Sequence, residues 1–182
     1  RKDEFLVLLF TMTSENTNKI LLIIQRSNGD VLLSLSLIKA LFENFNQPQI
    51  DILVNDDTVQ VAKTMPFINH IYTFSYLKKQ AGRYKQEKNL ISSIFRTYDL
   101  SINLTSSDRS VIYAILASKN SISAVEKNHK KSWWKKILLT QYYFFDIDQH
   151  ILVNNLKALN LLNINKVVNN DFPKVPEAIT NK

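Results

Sequence analysis

The chain has 182 residues, 45% of them hydrophobic, and carries 23 Lys and Arg against 16 Asp and Glu, a formal charge of +7. That is enough apolar mass for a real core in one domain or in a large part of a two-domain protein, and a charge that favours an acidic partner: phosphate, nucleic acid or an anionic lipid surface. The absence of cysteine excludes disulfides, thiolate metal sites and a cysteine nucleophile and agrees with a reducing cytoplasm; His70, His129 and His150 show no metal-ligand spacing, so no metal is expected.

Residues 1–18 read as an N-terminal extension. Its apolar patch at 5–10 follows Asp3 and Glu4 and makes a poor signal peptide, leaving an extra strand or a disordered extension. Met12, which opens a polar run, is a candidate natural start. No apolar run approaches the ~18 to 20 residues of a membrane-spanning helix. The run Ile20, Leu21, Leu22, Ile23, Ile24 has no polar alternation, as expected of a parallel strand buried on both faces. Residues 26–30 break the pattern. Val31, Leu32, Leu35, Ile38, Leu41, Phe42 and Phe45 then recur at three- and four-residue steps, which predicts one helix beginning near Asp30.

Gly29, one of only two glycines, offers a positive-φ turn or a close approach of ligand to main chain. Asp30 has two readings: a helix cap, or a general base at the carboxyl edge of the first strand, where open α/β sheets bind ligands.

Further along, 49–54 reads as a second strand, 58–65 as a helix stopped by Pro66, and 68–74 as a third strand with Ile71 inward and Tyr72 at its edge. The stretch 75–88 is polar and basic (Lys78, Lys79, Arg83, Lys85, Lys88): either a solvated face or a loop that clamps an anion. It leads into a helix through Leu90, Ile91, Ile94 and Phe95. Residues 98–104 give another strand, 105–109 a polar turn with Asp108 and Arg109, 110–117 a short helix and 122–125 a further strand. This alternation predicts an α/β fold: a Rossmann-like, mostly parallel sheet with helices on both faces. In 126–136, Lys127, Lys130, Lys131, Lys135 and Lys136 surround Trp133 and Trp134, either a surface for anionic headgroups or phosphate, or a helix whose tryptophans cover the core edge. Residues 142–145 add aromatic mass. His150 opens a last helix with Leu152, Val153, Leu156, Leu159, Leu161 and Leu162, and the polar stretch 166–182, with Pro173 and Pro176, reads as a linker.

Three stretches in this order, Ile-Leu-Leu-Ile-Ile-Gln-Arg-Ser-Asn-Gly-Asp-Val at 20–31, Tyr-Asp-Leu-Ser-Ile-Asn-Leu-Thr-Ser-Ser-Asp-Arg-Ser at 98–110, and His150 with Asn155-Leu156 and Leu159-Asn160-Leu161, resemble the N-terminal half of glycosyltransferase family 9, the lipopolysaccharide heptosyltransferases. The likeness spans about 19–165, and the second stretch looks most like the heptosyltransferase III branch. It implies one half of a GT-B architecture, the acceptor-binding Rossmann-like domain, with a donor-binding C-terminal domain lying elsewhere in cis or in trans. The chain would then be a piece, a split partner or a remnant, inactive alone.

The resemblance further implies inverting transfer of heptose from ADP-heptose to a lipopolysaccharide inner-core acceptor of Kdo and heptose, without a cofactor or metal, at the cytoplasmic face of the inner membrane. Asp30 matches the family's base. Ser27, Asn28 and Gly29 would floor the acceptor pocket, and Asp108 and Arg109 would approach the same cleft. Lys78, Lys79, Arg83, Lys130 and Lys131 would hold acceptor phosphates and carboxylates. Two rivals stand beside it. A non-enzymatic Rossmann-like module could meet membrane or nucleic acid through its basic face, although no nucleic-acid motif is present and no specific nucleic acid is expected. A dinucleotide oxidoreductase is opposed by Gly29 standing alone where Gly-x-Gly-x-x-Gly belongs.

Overall fold

The computed structural model describes residues 17–77 and 82–164, with the backbone alone at Arg83, His129, Lys130 and Lys131. Lys78, Lys79, the possible start at Met12 and the expected linker 166–182 lie outside the described residues.

The five-residue apolar run behaves as its composition requires. It forms β1 (Lys19–Ile24), and every residue after Lys19 is buried. Period-two geometry sends its side chains to two different cores. Ile20, Leu22 and Ile24 join Ile50, Ile52, Val54, Ile102 and Ile122 on one face, while Leu21 and Ile23 join Leu53, Phe74, Ile94 and Ala114 on the other. β1 pairs in parallel with β2 (Gln49–Asn55) on one side and β4 (Leu100–Asn103) on the other. β3 (Ile68–Phe74), β5 (Asn120–Val125) and β6 (Gln141–Phe144) complete six strands in the order β3-β2-β1-β4-β5-β6. All five pairings are parallel. This is the Rossmann order, with its topological switch point between β1 and β4. The aromatic stretch near 142 is therefore the sixth strand, an element that the sequence pattern alone did not separate.

The expected first helix is two. α1 (Asn28–Leu33) stops at Ser34 and α2 (Leu35–Asn44) follows. Buried Ser34 donates its hydroxyl to the Val31 carbonyl at 2.6 Å, the local side-chain bond that bends and ends helices. The helix expected over 58–65 shrinks to a 3₁₀ turn, Asp56–Thr58, and the single turn α3 (Val59–Ala62). Thr64 and Met65 already bond back three residues, to the Val61 and Ala62 carbonyls, so the helix has ended at Ala62, before Pro66, and the chain turns at Phe67, φ 69°, just after it.

α4 (Arg83–Ile94) and α5 (Asp108–Ala117) cover the Leu21–Ile23 face, and α6 (His129–Leu138) packs beside α5. α1, α2, α3 and α7 (Ile151–Leu161) cover the opposite face. His150 caps α7, accepting the Leu152 N–H at Nδ1, 3.2 Å. Of the paired tryptophans, Trp134 packs with Val111, Val125 and Leu139, while Trp133 is 61% exposed. Trp134 thus covers the core edge, as one of the two expectations had it, and Trp133 lies on the surface.

Candidate functional site

The carboxyl ends of β1 and β4 meet at the switch point. Leu104 N–H donates to the Ile23 carbonyl at 3.0 Å, and Gln25 N–H donates to Thr105 Oγ1 at 3.0 Å, so the two turns move as one. The β1 turn is capped by Ser27, which with extended backbone accepts the Asp30 N–H at 3.4 Å and donates its own hydroxyl to Asp30 Oδ2 at 3.0 Å. The cap is thus Ser27, and Asp30 stands in the first turn. No glycine has positive φ, and a Cβ on Gly29 would meet only Ser27 Oγ at 4.0 Å. Turn geometry therefore does not demand glycine there. What Gly29 contributes is bare, exposed main chain beside Asp30.

Arg26, which the sequence offered no role, fixes the acid. Its Nε donates to Asp30 Oδ2 at 3.1 Å while its guanidinium lies 4.6 Å from the centre of the Phe145 ring. Both bonds to Asp30 fall on Oδ2, and among the described residues Oδ1 receives none. An acid held by one oxygen with the other free is an arrangement suited to taking a proton from a hydroxyl.

The β4 turn is locked by Asn103, which accepts the Thr105 N–H at 3.0 Å and donates to the Thr105 carbonyl and to Ser123 Oγ. Ser107 caps α5, and Asp108 begins it. Behind the turn lies Lys135, which composition placed with the basic surface: its side chain is 1% exposed, and its Nζ sits 2.7 Å from both the Ser106 carbonyl and Asp108 Oδ1. The Asp108 side chain itself is 71% exposed at this edge. Arg109 turns the other way, to Glu87 Oε1 at 3.2 Å and over the Phe74 ring at 4.5 Å, tying α5 to α4 and the end of β3.

Ser27, Asn28, Gly29 and Asp30 therefore share one edge, with Asp108 on the neighbouring turn. Lys78 and Lys79 lie outside the described residues, Arg83 starts α4, and Lys130 and Lys131 lie in the first turn of α6. Pattern reasoning missed Arg26, Thr105 and Lys135. Arg26 was within reach of it, since Arg and Asp four apart across a helix start pair readily.

The strand order and the all-parallel pairing define a Rossmann-like α/β domain whose ligand edge is the β1–β4 switch point, where Asp30 stands oriented. No family model matches the chain. It is 31% identical over 144 residues to lipopolysaccharide heptosyltransferase 3 of Escherichia coli K12, covering 76% of this chain and 41% of that protein. A second Escherichia coli lipopolysaccharide heptosyltransferase 3 is 24% identical over 157 residues, 84% of this chain and 45% of its own length. Among solved structures, a family 9 glycosyl transferase from Veillonella parvula superposes with TM-score 0.69 at 16% identity, over 85% of this chain and 44% of that one. Escherichia coli ADP-heptose lps heptosyltransferase II does so with TM-score 0.61 at 18% identity, over 88% and 47%. The Escherichia coli heptosyltransferase WaaC, solved with ADP-2-deoxy-2-fluoro heptose, gives TM-score 0.62 at 14% identity, over 87% and 50%. The chain is thus similar over most of its length to lipopolysaccharide heptosyltransferases and, in fold, to a family 9 glycosyl transferase. It spans less than half the length of the curated relatives it matches.

Proposed function

We propose that this chain supplies the acceptor side of a heptosyltransferase that moves a heptose from ADP-heptose to an inner-core sugar of lipopolysaccharide. The observation that carries the reading is Asp30, held through Oδ2 by Arg26 and Ser27 with Oδ1 free at the carboxyl edge of β1. In this reading Oδ1 takes the proton of an acceptor hydroxyl as that oxygen attacks the anomeric carbon. The bond from that carbon to the ADP phosphate breaks, ADP departs with the electron pair, and configuration inverts. A relative with ADP-2-deoxy-2-fluoro heptose bound supports this donor class. Binding the donor falls to a second half, in cis or in trans, and this chain alone is inactive.

Exposed Ser27, Asn28 and Gly29 floor the acceptor site in this reading, with Asp108 contributing from the neighbouring edge, while Arg109, expected at the same cleft, is engaged with Glu87 and Phe74 instead. Lys78, Lys79, Arg83, Lys130 and Lys131 meet its phosphates and carboxylates. The acceptor being a lipid, the work is done at the inner face of the cytoplasmic membrane, consistent with the basic charge.

The test is Asp30→Asn in a protein that includes the donor-binding half. A positioned base contributes about 10² to 10⁴ in rate, so kcat falls by about that much while the fold, followed by circular dichroism, is retained. Unchanged turnover rejects the base assignment.

A further inference from the structure

β3 is an edge strand, paired only to β2, and between it and α4 runs a groove of about 650 Å³ that the chemistry at Asp30 does not use. A volume of this size suits a small ligand. One wall is aromatic: His70 stands edge-on to Tyr72, ring centres 4.5 Å apart at 73°. The other wall is a polar stripe on α4, Lys85, Asn89 and Ser93, three residues four apart and so on one helix face. Gln86 sets the width by gripping both main-chain groups of Ser75, accepting its N–H at 3.0 Å and donating to its carbonyl at 3.1 Å.

Proton bookkeeping gives Tyr72 a defined polarity. Asp51, buried in β2, accepts from Asn69 Nδ2 at 2.8 Å and from the Tyr98 hydroxyl at 2.7 Å. Tyr98 has one proton, and a carboxylate can only accept, so that proton goes to Asp51. In the 3.1 Å contact between the two phenols, Tyr72 is therefore the donor, and its oxygen keeps acceptor capacity alone. Burial holds the Tyr98 hydroxyl far above the usual tyrosine range, so Tyr98 keeps its proton at physiological pH.

An aromatic wall for the apolar face of a sugar, a fixed phenol oxygen for a hydroxyl, an amide and an ammonium make a carbohydrate site with one place for an anion. Thr73 is in register with Val54, and Val54 with Ile24 at the end of β1. The Thr73 end of the groove thus lies two strand spacings, roughly 10 Å, from the end of β1, and the groove runs from there toward His70, which is level through Asp51 with Leu21, so an extended oligosaccharide enters it from the Thr73 end. We propose that the β3–α4 groove is a second saccharide subsite, which takes a phosphorylated or carboxylated sugar of the acceptor several bonds away from the reacting hydroxyl. The proposal rests on the reading of the acceptor as an anionic oligosaccharide.

The experiment titrates a deacylated, phosphorylated inner-core oligosaccharide into the isotopically labelled chain and compares it with inorganic phosphate. The expected result is saturable shifts at His70, Tyr72 and Asn89, and a Kd weakened about tenfold in each of Lys85→Met and Asn89→Ala, one charge-assisted or neutral hydrogen bond apiece. Both positions are exposed on α4, so circular dichroism should be unaltered. Asp30→Asn should leave these shifts in place. If the oligosaccharide binds but neither α4 variant weakens it, the groove is not the subsite and the acceptor reading stands. Inorganic phosphate binding as tightly as the oligosaccharide overturns the saccharide assignment. No binding of the oligosaccharide overturns the acceptor reading, and the subsite with it.

Discussion

At the scale of single residues, Lys135 and Asp108 form an ion pair with unequal partners, one buried and one in water. The asymmetry sets what each substitution does. Asp108→Ala leaves an ammonium in the interior with the Ser106 carbonyl and the Trp134 ring beside it, and should cost about 1.5 to 3 kcal/mol, less than breaking a fully buried pair because Asp108 is itself solvated. Lys135→Met removes the buried charge itself, and the exposed Asp108 carboxylate is hydrated in its place. It should cost about 1 kcal/mol. Urea denaturation of the two variants checks this order, and equal losses would mean that the pair is not organised as described. Arg26 and Asp30 follow a different logic: both are partly open to solvent, so their pairing orients a carboxylate more than it stabilises the fold.

Among elements, α6 decides how the basic region is used. Helical periodicity turns Trp134 into the core with Val111 and Val125 and leaves Trp133 and Ile137, four residues apart, exposed at 61% and 70%. Tryptophan with lysine at hand suits the headgroup zone of a bilayer, where each basic residue adds about 1 kcal/mol on an anionic surface. If the chain serves a lipid-anchored acceptor, as proposed, this face is the expected contact with anionic lipid. Replacing both residues (Trp133→Ser, Ile137→Ser) should lower sedimentation with phosphatidylglycerol vesicles at least tenfold without affecting binding of a deacylated acceptor. Wild-type partitioning in the double variant would remove α6 from the membrane contact. The broken α1–α2 segment matters for the same reason: stopping α1 at buried Ser34 gives the Asp30 turn an orientation separate from the long packed helix behind it.

For the molecule as a whole, six parallel strands and two helical layers give a Rossmann-like domain with its ligand edge at the β1–β4 switch point. The chain spans 41% and 45% of its two curated relatives. If donor binding belongs to the other half, calorimetric titration of ADP-heptose into this chain gives no saturable heat, whereas the core oligosaccharide does. Micromolar binding of ADP-heptose here would overturn that division of labour.

The layer order was legible in the sequence because it rests on local periodicity: the short unalternated run Ile20–Ile24, closed by the turn at 26–30, reads as a doubly buried strand, and the three- and four-residue spacing after it reads as helix. The position of Asp30 at a strand-to-helix turn was legible too, though not that Ser27 rather than Asp30 is the cap. Tertiary structure alone decided the rest. Whether a lysine among lysines is buried depends on a carbonyl and a carboxylate about thirty positions upstream, as Lys135 meets Ser106 and Asp108. Which tryptophan faces inward, which oxygen of Asp30 is tied, and how Tyr72, Tyr98 and Asp51 order their protons likewise depend on contacts between distant segments, which no window of neighbouring residues contains.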